Sequence, residues 1–151
     1  MSQSLSKLYV HAIFHIKSTC VVIRRQERAS LYAYMTSILN DLGCVPIQIN
    51  GVEDHVHLLC VMSKNISPAK MIADVKRHSS RWIKGLDLYY HSFEWQGGYA
   101  VFSVSPSLVD TVRQYIANQE QHHKRTTFRE EYTLILKEYG ISYDDEYVWT
   151  D

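Results

Sequence analysis

The sequence predicts an α+β domain built on a four-stranded sheet. Three observations carry this. Segments 8–17 and 44–62 alternate or run apolar like strands, and a shorter one follows Gly97-Gly98. Stretches between and after them space their apolar residues by three and four, as helices do. Helix start and stop residues, the Ser-Pro pairs and single glycines, fall at the junctions.

The first strand is Leu8 to Lys17. Leu8, Val10, Ala12, Phe14 and Ile16 share one face, while Tyr9, His11, Ile13 and His15 share the other. Gln26 to Leu42 reads as a helix on Leu31, Tyr34, Met35, Ile38 and Leu42, with Gly43 as its terminator. Cys44 to Asn50 is a second strand. Asn50-Gly51 is a turn signal that joins it, as a hairpin, to the strand Asp54 to Met62. Ser67 caps and Pro68 opens a helix to about Lys84, with Met71, Ile72, Val75, Trp82 and Ile83 as its apolar stripe. The stretch from Gly85 to Gly98 is the candidate functional loop. Its Tyr89, Tyr90, Phe93 and Trp95 either stack unpaired bases or pin the loop to the core.

Tyr99 to Val104 is the fourth strand. Ser105-Pro106 repeats the helix start for a helix through about His123, and Thr127 to Tyr139 forms another, closed by Gly140. The tail from Ile141 is acidic and aromatic. The order is β-α-β-β-α-β followed by two helices, the split βαβ or ferredoxin-like arrangement, with helices on one face and further C-terminal helices. Strand order 4-1-3-2 leaves two open edges. The fourth strand carries no Lys or Pro to block pairing, so a homodimer with merged sheets is expected.

The chain of 151 residues is read as one domain, 1–151, large enough to bury a sizeable core. No run approaches the ~20 apolar residues of a membrane span, and the N-terminus lacks the pattern of a signal peptide, so a cytoplasmic protein is expected. Cys20, Cys44 and Cys60 lack zinc-type spacing and read as free thiols. Sixteen basic and sixteen acidic residues balance, which argues against indiscriminate coating of nucleic acid. The acids crowd the end, at Glu130, Glu131, Glu138, Asp144, Asp145, Glu146 and Asp151, leaving the first 125 residues net basic.

His55 and His57 alternate within the third strand and therefore share a face. Such a pair is either a metal site or two hydrogen-bonded core residues. Asp54 before them either orients a ligand histidine or caps the turn. Tyr115 and Gln119 lie four apart on a helix, beside the apolar stripe of Val109, Val112 and Ile116. His122 and His123 read as solvated helix-end residues. Lys70, Arg77, Arg81 and Lys84 share a helix face that serves either solvation or DNA phosphates.

Taken together, the chain resembles the single-tyrosine HUH transposases of the insertion-sequence 200/605 group. The resemblance rests on His11-Ala-Ile-Phe-His15, on Asn50-Gly-Val-Glu-Asp-His-Val-His-Leu-Leu59 and on Ser79-Ser-Arg-Trp-Ile83. It extends through Trp95-Gln-Gly-Gly-Tyr-Ala-Val-Phe-Ser-Val-Ser105 and Val112-Arg-Gln-Tyr-Ile-Ala-Asn-Gln119. What it implies is a DNA transposase that cleaves and rejoins single-stranded DNA through a 5′-phosphotyrosine intermediate. Tyr115 would be the nucleophile. His55, His57 and Gln119 would hold Mg2+ or Mn2+. The partners implied are DNA hairpins and a second copy of the chain, with Tyr115 serving its own or its mate's metal site. Two alternatives share the pattern: a domesticated relative that processes repeated palindromes by the same chemistry, and a non-catalytic, sheet-based RNA binder with aromatic residues on its central strands.

Overall fold

The computed structural model describes residues 2–149; Asp151, counted above among the terminal acids, lies outside them. The strands are β1 (Tyr9–His15), β2 (Val45–Gly51), β3 (His55–Val61) and β4 (Ala100–Ser103). The helices are α1 (Arg25–Asp41), α2 (Pro68–Lys84), α3 (Val109–Ala117), α4 (Gln119–His122) and α5 (Phe128–Glu138). The sheet runs β2-β3-β1-β4 with every neighbour antiparallel, the order expected. No helix among the described residues is long and apolar enough to cross a membrane.

The alternation in β1 sorts its residues as the sequence implies. Val10, Ala12, Phe14 and Ile16 join Val56, Leu58 and Cys60 of β3 in the main core under α1 and α2. Leu8, expected with them, is exposed. The opposite face is also covered. Ile13, Ala100 and Phe102 pack on Tyr132 and Leu136 of α5, while Leu59 and Val104 pack on Ile116 of α3. Both faces of the sheet are therefore occupied. Cys44 and Cys60 are buried free thiols.

Local signals hold at the caps. Ser67 Oγ accepts the Lys70 N–H at 3.1 Å with Pro68 following, and Thr127 and Glu130 form a reciprocal capping box at the start of α5. Gly43 and Gly140 follow α1 and α5 with φ of +79° and +65°. Ser105, by contrast, makes no side-chain cap. Pro106–Leu108 forms a 3-10 turn ahead of α3 instead.

Two elements differ from expectation for one shared reason. Asn50-Gly51 is not the hairpin turn: both residues remain in β2, and the chain reverses over 52–54. Gly51 is required by close approach, since a Cβ there would sit 2.1 Å from the His55 carbonyl. Asn50 instead reaches across to α3, its Nδ2 donating to the carbonyls of Ile116 and Ala117 at 3.0 and 3.1 Å. Those orphan helix-end acceptors are satisfied from outside. The single helix expected to run to His123 accordingly breaks at Asn118 (φ −98°, ψ 19°) into α3 and α4.

The loop from Gly85 to Gly98 is structural. Tyr90, Phe93 and Trp95 are buried, with Trp95 Nε1 donating to Ser79 Oγ at 3.0 Å. Tyr89 donates its hydroxyl proton to the Val22 carbonyl at 2.9 Å. Of the two roles open to these aromatics, pinning the loop is the one realised.

Candidate metal and nucleophile site

β3 turns His55 and His57 to the face covered by α3, α4 and α5, and both are fully buried. Each is held by its outer nitrogen. Asp54 Oδ1 lies 2.7 Å from His55 Nδ1, so Asp54 takes the orienting role. His11 Nε2, from the neighbouring β1, lies 2.8 Å from His57 Nδ1, and the two rings stack at 5.0 Å. The Nε2 atoms of both histidines are thereby directed inward.

Tyr115 and Gln119 meet the histidines despite the helix break between them. Gln119 Oε1 lies 3.3 Å from His55 Nε2 and the residue is fully buried. The Tyr115 ring stands edge-on to His57 at 5.8 Å. All four residues singled out in the sequence therefore converge within one chain. Tyr115 also reaches the surface, lining with His122 a recess of about 560 Å³ bounded by Asn118, Gln121, Arg125 and Thr126.

The sequence reading missed the centre of this cluster. Glu131, counted among the terminal acids, is only 2% exposed. Its Oε1 lies 3.0 Å from His57 Nε2, 3.3 Å from His55 Nε2 and 3.1 Å from His123 Nε2. Its Oε2 accepts from the Tyr115 hydroxyl and from Gln119 Nε2, the latter at 3.1 Å, and lies 3.1 Å from His122 Nε2. His122 and His123 are thus not free helix-end residues, because folding of α5 back onto the sheet gives both a buried anionic partner. A signal was present. Phe128, Glu131, Tyr132 and Ile135 fall at helical spacing on one stripe, so a glutamate interrupts an apolar face. Likewise His11 lies on the mixed face of the first strand, where its register opposite Leu59 places it diagonal to His57.

The electrostatics follow from burial and neighbours. Burial, opposed by Glu131 and reinforced by His55 and His123, lowers His57 to about 4. Burial and His57 lower His11 to about 3. Burial works against a charged His55 as well, but the hydrogen bonds to Asp54 and Glu131 prevail and raise its pKa. Burial favours a neutral Glu131, yet hydrogen bonds from His123, His55 and His57 hold its carboxyl far below the usual carboxylate range. Burial and then Glu131 push the Tyr115 phenol well above its ordinary value. A phenol beside a carboxylate keeps its proton until the adjacent negative charge is compensated.

The basic residues of α2 lie elsewhere. α2 packs with α1 on the opposite side of the sheet from the histidines. There Lys70 Nζ and Arg77 pair with the buried Asp74 at 3.1 and 2.9 Å. Arg81 and Lys84 are exposed on the same helix.

The family model described as "Transposase IS200 like" matches residues 4–119, which include His55, His57, Tyr115 and Gln119 but end before Glu131. No curated protein matches the chain. A crystal structure of a Deinococcus radiodurans R1 protein assigned as a transposase aligns at TM-score 0.60 and 22% identity, over 79% of this chain and 98% of that one. A REP-associated tyrosine transposase bound to a REP hairpin aligns at TM-score 0.60 and 12% identity, over 100% of this chain and 94% of that one. The match over most of the length establishes that the chain belongs to the IS200-like transposase family.

Proposed function

We propose that the protein cleaves and rejoins single-stranded DNA through a 5′-phosphotyrosine link at Tyr115, with His55, His57 and Gln119 binding Mg2+ or Mn2+. The observation that carries this reading is the convergence of those four residues: Gln119 Oε1 lies 3.3 Å from His55 Nε2, and Tyr115 stands against His57. The donor set fits a divalent ion. Two imidazoles present Nε2 inward with their outer nitrogens held, beside an amide oxygen. When bound, such an ion supplies polarisation of the scissile phosphate.

The remaining steps belong to the chain. The recess beside Asn118, Arg125 and Thr126 admits the DNA strand to Tyr115. The tyrosine oxygen attacks phosphorus, forming one O–P bond while the bond to the 3′ oxygen breaks. The phenolic proton has an acceptor already in contact, Glu131 Oε2, and the leaving oxygen gains a proton to become a 3′-hydroxyl. One phosphoester replaces another, so attack by a different 3′-hydroxyl rejoins DNA without an external energy source.

Hairpin DNA is the proposed substrate, because a solved neighbour spanning the whole chain carries a REP hairpin. The same neighbour favours a second reading with identical chemistry, the processing of dispersed repeated palindromes. The sheet-based RNA binder is disfavoured. It needs an open sheet face for stacking, and both faces here are covered.

The test is an assay for a denaturation-stable protein–DNA adduct, using hairpin oligonucleotides from the flanks of the native gene and from repeated palindromes. Tyr115→Phe should bind DNA and form no adduct. Adduct formation by that variant would overturn the assignment, and the preferred oligonucleotide separates the two readings.

A further inference from the structure

We infer that Glu131 is itself a ligand of the divalent ion, joined by His123, and that its second oxygen ties the nucleophile Tyr115 to that ion. This rests on the proposed metal site and adds to it a carboxylate from beyond the family match, which ends at residue 119.

Geometry is the first support. One donor atom each from His55, His57, His123 and Glu131 lie within 4.8 Å of one another. Glu131 Oε1 stands 3.0–3.3 Å from the three Nε2 atoms. Metal bonds of about 2 Å place neighbouring ligands roughly 3–3.5 Å apart. Little movement therefore separates this cluster from a coordination shell.

Charge is the second. Glu131 is buried among imidazoles, an amide and a phenol. A buried carboxylate is costly unless a cation compensates it. A divalent ion at the histidine nitrogens supplies that compensation without requiring an imidazole to be charged. The third support is the division of labour between the two oxygens. Oε1 faces the three Nε2 atoms, whereas Oε2 accepts from Tyr115. One carboxylate thus sets the distance between nucleophile and ion.

Adding a third imidazole and a carboxylate to the Gln119 amide also shifts metal preference. Nitrogen donors favour Mn2+ and Zn2+ over Mg2+ far more than an oxygen-rich set does. The neutral set of His55, His57 and Gln119 lacks the anionic donor that strengthens binding.

The test is Mn2+ titration of the metal-stripped full chain, read by the loss of the free-ion EPR signal and by calorimetry, without DNA. Glu131→Gln should weaken Mn2+ binding about 10- to 100-fold, the range seen when a supporting group of a metal site is lost. Glu131→Asp keeps the charge but shortens the reach, and should weaken binding too. It gives the answer if the glutamine variant does not fold. Binding as tight as, or tighter than, wild type in a folded variant of either kind would overturn the proposal and make Glu131 an occupant that the ion displaces. His57→Ala is the control. If it abolishes binding while both Glu131 variants bind normally, only the role of Glu131 fails; if it binds normally as well, the metal site itself fails.

Discussion

His11 Nε2 and His57 Nδ1 lie 2.8 Å apart on adjacent strands, within hydrogen-bond distance. When a metal takes Nε2 of His57, as proposed, the proton of the neutral imidazole sits on Nδ1 and is donated to His11. We propose that His11 positions His57 for that metal. His11→Phe keeps a ring in the same space and removes the acceptor. It should lower Mn2+ affinity and strand cleavage by roughly 10- to 100-fold with little change in fold, checked by calorimetry and by circular dichroism.

Acid should destabilise the protein at this cluster. His57 and His11 titrate at about 4 and about 3 when folded, below the ordinary 6.5. A base with a depressed folded pKa binds fewer protons in the native state, so its contribution is full above 6.5 and is lost as pH falls toward the folded value. Glu131, held far down, adds stability that disappears below the ordinary carboxylate range. His55 runs the other way, because its raised pKa contributes stability below 6.5 that is lost as pH rises through the folded value. The combined expectation is a melting temperature that drops between pH 6.5 and 4. His57 alone accounts for on the order of 3 kcal/mol. In His57→Gln the slope of melting temperature against pH over that interval should be visibly shallower.

Tyr115 and His57 meet within one chain. A mixture of Tyr115→Phe and His57→Ala proteins should accordingly remain inactive, since neither chain holds a complete site. Recovery of cleavage in the mixture would mean that a second chain donates its tyrosine.

The sheet edge available for the proposed dimer is short. β4 spans four residues, Ala100–Ser103, and its Ser103 carbonyl already accepts from the Tyr139 hydroxyl at 2.7 Å. Analytical ultracentrifugation should detect a dimer that Tyr139→Phe strengthens, because removing that donor frees an acceptor for strand pairing. A monomer at every concentration, in both proteins, would exclude edge pairing.

DNA contact by α2 is a separate proposal, since that helix lies across the sheet from Tyr115. Arg81→Glu and Lys84→Glu should each weaken hairpin binding irrespective of sequence and flatten the salt dependence by about one phosphate contact. Arg77→Glu should do the same but also lower stability, because it sets a like charge beside buried Asp74. An unchanged salt slope would leave this face with solvation alone.

Periodicity and capping chemistry are properties of neighbouring residues, and the sequence by itself determined what depends on them. The alternation of β1 and β3 put His55 and His57 on one face, the Ser67-Pro68 signal located the start of α2, and Gly140 located the end of α5. Tertiary packing alone decided the rest. His11 meets His57 across 46 residues and Glu131 meets it across 74, distances over which no local pattern operates. Asn50, a turn residue by local chemistry, became the cap of α3 because that helix end was carried against β2. Glu131 had the composition of a solvated tail and acquired a buried role only when the apolar stripe of α5 closed over the sheet. The energy of burying Tyr132 and Leu136 against Ile13 and Phe102 drew the adjacent carboxylate in with them.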